Sequence, residues 1–140
     1  MYEQLVYPDG VRGFCSLLEG ADILGHSILP VVIVPVDYAE RDETVVHISR
    51  MSTNEGPIDR TEELRMVVYG GSVFGSTDVA EAILSLITGD AIATPSSNSS
   101  APFLFDWVRQ RTGPAPIDYP SENVYPVAAT FAACARPIIF

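Results

Sequence analysis

The sequence predicts an α+β fold in which a small mixed or antiparallel sheet of three to four strands carries two main helices packed on it. Three observations lead there. Residues 44–51 and 63–69 alternate in the period-two manner of half-buried strands. Val79, Ile83, Leu86 and Ile87 recur at helical spacing, with Glu81 and Ser85 pointing away. A chain of 140 residues has the length of one domain, here spanning 1–140. Such a domain buries roughly two-thirds of the surface its unfolded form exposes, enough for a core without staples.

Taken in order, residues 1–10 form a lead-in closed by the turn signal Pro8-Asp9-Gly10. Val11, Phe14, Cys15 and Leu18, followed less regularly by Ile23 and Leu24, predict a helix over 11–24 ending near Gly25. Gly13 and Gly20 each cost it about 1 kcal/mol relative to alanine. In 27–38, Val31 to Val34 favour a strand, and the prolines on either side limit it to an edge or an extended crossing. A charged turn, 40–43, leads into the strand 44–51, where Val45, His47, Ser49 and Met51 oppose Val46, Ile48 and Arg50. Residues 52–60 form a polar loop around Gly56-Pro57, and in the strand 63–69 Leu64, Met66 and Val68 share one side. Strands joined in this way pair antiparallel, and a loop of that length suggests a functional or partner-ordered segment.

A glycine corner at 70–77 then feeds a helix starting near Asp78, with Ser76, Thr77 and Asp78 as caps and Glu81 three residues on. Residues 90–102, rich in Ser, Asn and Pro, predict a mobile loop. Residues 103–111 read as one or two helical turns stopped by Gly113-Pro114-Ala115-Pro116. In 123–136 the alternation of Val127, Ala129, Phe131, Ala133 and Ala135 predicts a last strand despite the helical preference of alanine.

Composition narrows the function. Eighteen acidic residues stand against eight arginines and no lysine, a formal charge of −10 that opposes tight binding to nucleic acid. Without lysine there is no Schiff-base chemistry. No apolar run approaches the roughly 20 residues of a spanning helix, and the N-terminus lacks a basic start and an apolar centre, so the expectation is a protein of the cytoplasm with no membrane contact. Cys15 and Cys134 read as reduced core residues, and His26 and His47 have no ligand neighbour at i+3 or i+4.

Gly70 to Thr77 has the glycine spacing of a phosphate loop, but Ser76 stands where that loop needs lysine, so a turn before a capped helix is the better reading. Ser72 lacks the flanking glycines of a nucleophile elbow. Asp37, Glu40, Asp42, Glu43, Asp59, Glu62 and Glu63 are dense enough for an acid–base pair, yet no apolar pocket is visible to separate their pKa values, and a solvated acidic face explains them. No catalytic, cofactor-binding or metal site is expected.

The order of elements carries a resemblance. An N-terminal helix, an extended apolar crossing, the strands VVHISR and LRMVVYG, the helix GSTDVAEAILSLI, a variable proline-rich stretch and a terminal strand resemble the tail terminator (tail completion) proteins of long-tailed bacteriophages. The family pattern of a strand ending in a small-residue turn before a helix falls on Val67, Val68, Tyr69, Gly70 and residues 78–87. The longer polar stretch 90–102 departs from it. The resemblance implies an α+β fold, no catalytic residues or cofactor, and a homo-oligomer, a hexameric ring. That ring would cap the tail-tube protein and dock it to the head-completion (neck) proteins, in the virion tail after assembly in the host cytoplasm. DNA would pass through without specific binding. On that reading Glu40, Asp42, Glu43, Glu55 and Asp59 face the lumen or the adjoining ring, where acidic groups repel phosphate, and Arg41, Arg50 and Arg60 pair across subunits. Phe103, Phe105 and Trp107 are candidates for the ring contact or for ordinary core packing. Another head-tail connector, or a small-molecule enzyme using acidic residues in a deep pocket, are the alternatives.

Overall fold

Strand pairing takes up far more of the chain than its alternating runs suggest. The structure is a computed structural model and describes residues 5–37, 42–56, 59–95, 103–118 and 124–139. Along the chain run β1 (Leu5–Val6), α1 (Gly10–Leu18), β2 (Asp22–Ile23), β3 (His26–Val31), β4 (Thr44–Glu55), β5 (Arg60–Gly70), α2 (Val73–Ile87), β6 (Gly89–Thr94), β7 (Phe103–Pro116), β8 (Tyr125–Ala135) and β9 (Ile138–Ile139). Seven of the strands form one mixed sheet, a half-barrel in the order β2-β3-β4-β5-β8-β7-β6, while β1 and β9 pair separately.

This overturns the expected sheet of three to four strands with two helices packed on it. The molecule is mostly sheet, and the additional strands have physical causes. Residues 103–111 are not helical turns but the first part of β7, whose Phe, Trp, Val and Thr side chains suit a pleated surface once β8 lies beside it. Gly113-Pro114 does not stop that strand, because register shifts between Gln110 and Thr112 and between Thr112 and Ala115 absorb it. The first part of the 90–102 stretch is β6, paired antiparallel to β7 with Ile92 opposite Phe105. The rest of that stretch, 96–102, lies outside the described residues.

Other boundaries move for local reasons. β2 and β3 form a hairpin whose two-residue turn, Leu24 and Gly25, has positive φ at both positions (53° and 81°), the backbone that matches strand twist. α1 ends early, at Leu18, where Gly20 takes a positive φ of 71° and the Ala21 N–H donates to the Leu18 carbonyl at 3.0 Å. β3 then runs parallel to β4, so residues 32–43 are a crossover of the length parallel neighbours need. β4 and β5 pair through Glu55 and Arg60, which shrinks the expected long loop to 56–59. Within it the Gly56 N–H donates to the Asp59 carbonyl at 2.8 Å. α2 starts at Val73 rather than Asp78, because the Ser72 hydroxyl accepts the Gly75 N–H at 2.9 Å and serves as the cap. Ser76 instead turns inward, donating to the Tyr125 carbonyl at 2.7 Å and lying against Gly70, where a side chain would have no room.

The core fills one face of the sheet. Val46 and Ile48 from β4, Leu64, Met66 and Val68 from β5, and Val127, Ala129, Phe131 and Ala133 from β8 meet Val79, Ile83, Leu84 and Ile87 of α2. Leu84 takes the place expected for Leu86, which is 50% exposed. α1 packs against β3 and β4 and reaches across to β6, and its Phe14 stacks on Phe105 at 5.1 Å and meets Phe131 edge-on at 5.3 Å. Gly13 permits that approach, since a Cβ there would lie 3.2 Å from Thr94 Cβ.

Candidate interaction surface

Side chains directly opposite in neighbouring strands point to the same side of a sheet, so register assigns each residue to a face. Ala132 and Cys134 alternate with the core residues Phe131, Ala133 and Ala135 and therefore lie on the face away from the helices. Trp107 and Arg109 of β7 stand opposite Cys134 and Ala132, and Arg65 of β5 stands opposite Thr130, which puts all three on that face. Arg111 joins them through its 3.5 Å contact with Glu63, itself opposite Ala132. The Arg109 guanidinium lies over the Trp107 ring, 5.2 Å from its centroid, within reach of a cation–π contact. The start of the crossover touches this face too, with His47 Nε2 3.0 Å from the Val32 carbonyl oxygen.

A second polar assembly joins the N-terminal segment to the far end of the β4–β5 hairpin. Glu62, only 2% exposed, receives Arg50 Nε at 2.8 Å, Arg60 Nη2 at 3.2 Å and the Gly10 N–H at 3.0 Å. Arg50 also reaches Asp9 at 3.2 Å, and Asp9 accepts the Arg12 N–H to cap α1. Arg60 donates to the Pro8 carbonyl at 3.0 Å and covers the Tyr7 ring at 5.0 Å. Gly10 has no space for a side chain, because a Cβ would sit 2.9 Å from Leu64. Four charged side chains and three backbone groups thus fix where α1 begins.

The residues expected at interfaces are distributed as follows. Glu40 and Arg41 lie outside the described residues. Asp42 and Glu55 are exposed and Glu43 and Asp59 half-buried, but Asp42 and Glu43 precede β4 and Glu55 ends it. A strand of that length separates them by roughly 35 Å, so they form no single acidic cluster. Asp59 accepts a hydrogen bond from the Cys134 thiol at 3.6 Å. Arg50 and Arg60 are engaged within the chain by Glu62. Phe105 is fully buried, Phe103 is half-buried against the same core, and Trp107 is half-buried beneath Arg109. A groove of about 190 Å³ between Val73, Ile117, Val124 and Tyr125 carries one carboxylate, Asp118.

Neither a protein-family model nor a curated protein matches the chain. Among the described residues, no group of three or more His, Cys, Asp or Glu side chains is placed to hold a metal ion, and no helix is long and apolar enough to cross a membrane.

The thiols follow from their surroundings. Burial, reinforced by Glu19 and Asp9, pushes the Cys15 thiol up to about 11 from an ordinary value of 9.0, and burial also raises Cys134. At pH 8 both therefore stay protonated in the folded chain. A coloured disulfide reagent is expected to react slowly with the native protein and at the rate of free cysteine after denaturation, with native reactivity rising only above pH 9.

Proposed function

We propose that the protein is a structural subunit of a long-tailed phage, assembling with copies of itself into a ring that closes the tail tube and joins it to the head-completion proteins. The observation that supports this best is an open sheet edge. β3 accompanies β4 only from Thr44 to His47, so among the described residues the outer edge of β4 from Ile48 to Glu55 has no ladder partner. Open edges of that length are sites where another chain adds itself. Exposed apolar side chains point the same way: Ile33 is 81% exposed, Phe74 84% and Val36 fully so. The acidic balance of the chain suits a ring through which DNA passes without being held.

The reading is tested by adding gold-labelled protein to tail tubes of the same phage and imaging them by electron microscopy. Label confined to one end of each tube, with further tube growth halted, is the expected result. Label scattered along the walls, or absent from the tubes, overturns the proposal.

A further inference from the structure

The two faces of the seven-stranded sheet differ in charge: the helix side presents acids, and the other side sets three arginines among Glu63 and Asp90. α2 contains no arginine, and its outward stripe is Phe74, Asp78, Glu81 and Ser85, all exposed. The opposite face carries Arg65, Arg109 and Arg111 beside Trp107, in a chain whose formal charge is −10. The partners these arginines have at home are loose. Arg109 is 3.9 Å from Asp90 and Arg111 is 3.5 Å from Glu63, with the two arginine side chains 65% and 49% exposed. Exposed ion pairs of that kind contribute little in water, so they yield readily to a better partner. Nucleic acid would meet the arginines only by approaching a strongly acidic protein. A second copy instead offers a matching acidic surface.

Resting on the ring reading above, we infer that the arginine face of one copy docks on the helix face of the next, Arg109 and Arg111 meeting Asp78 and Glu81, with Trp107 and Phe74 as apolar anchors. Aromatic and arginine side chains are the groups that carry binding energy at protein interfaces. The two surfaces lie on opposite sides of one sheet. Their contact is therefore head-to-tail, the kind that generates a ring when its rotation closes, whereas a like-to-like contact would stop at a pair.

Two charge-reversed proteins test this. One carries Arg109→Glu and Arg111→Glu, the other Asp78→Arg and Glu81→Arg, and circular dichroism melts verify that each is folded. Association is measured by sedimentation velocity at 50 mM and 500 mM salt, with and without tail tubes. Wild type is expected to associate, about tenfold less at the higher salt. Each reversed protein alone is expected to stay monomeric, and an equimolar mixture to assemble, because every contact in an alternating ring is then complementary. If wild type associates and both reversed proteins do so equally well, the assigned faces are wrong while the ring reading stands. A mixture that stays monomeric likewise overturns the assigned faces. If wild type itself stays monomeric with and without tubes, the ring reading fails and this contact with it. Should either reversed protein fail to fold, Phe74→Ala in the wild-type background supplies the same comparison, an association at least tenfold weaker being expected and an unchanged one overturning the contact.

Discussion

Glu62→Ala lowers the unfolding free energy by about 3–5 kcal/mol, read from urea titrations followed by circular dichroism. The size of the effect comes from what the carboxylate leaves behind. Glu62 is almost fully enclosed, and its two oxygens satisfy Arg50, Arg60 and the Gly10 N–H at 2.8–3.2 Å. Arg50 is 39% exposed and can turn to water, but Arg60 is only 16% exposed and would lose its charged partner inside the structure. The start of α1 loses its anchor at the same time. Glu63→Ala, by contrast, removes a half-buried, solvent-accessible carboxylate with one 3.5 Å contact, and a change within about 0.5 kcal/mol is expected.

Phe14→Ala is expected to cost about 3–5 kcal/mol in the same titrations. The ring is fully buried between Phe105 and Phe131, and these three aromatics tie α1 to β7 and β8. Gly13 has already brought the helix as close as Thr94 allows, so the helix has little room to settle into the cavity left behind. Phe74→Ala serves as the counterpart. That ring is 84% exposed, and its loss is expected to change monomer stability by less than about 0.5 kcal/mol while weakening assembly.

The parts of the fold that were legible in the sequence are those fixed by local periodicity. β4, β5 and β8 alternate plainly, and α2 repeats its apolar face across several turns. What escaped depends on distant partners. β7 holds together because β8 lies along it, and the aromatic residues and Val108 within 103–111 suit a strand without the regular alternation that would separate it from a short helix. β6 sits in a stretch whose composition suggests a loop, and it becomes a strand by pairing with β7. The parallel pairing of β3 with β4 has no local signature at all. Glu62 did leave a trace, since it shares the parity of Leu64, Met66 and Val68 and so had to point inward; its partners, Arg50 and Arg60, were visible as residues but not as neighbours. The arginine face was equally hidden, because it joins β5 to β7 across β8.

Joining these features is the proposal that a largely β subunit with an open edge and two differently charged faces is repeated in a ring. The mass of the particle proposed to form on tail-tube ends tests that most directly, with native mass spectrometry after the tubes are gently dissociated as the measurement. Six copies of the 15.2 kDa chain in one closed assembly is the expected result. A single copy, both free and released from the tubes, would contradict it.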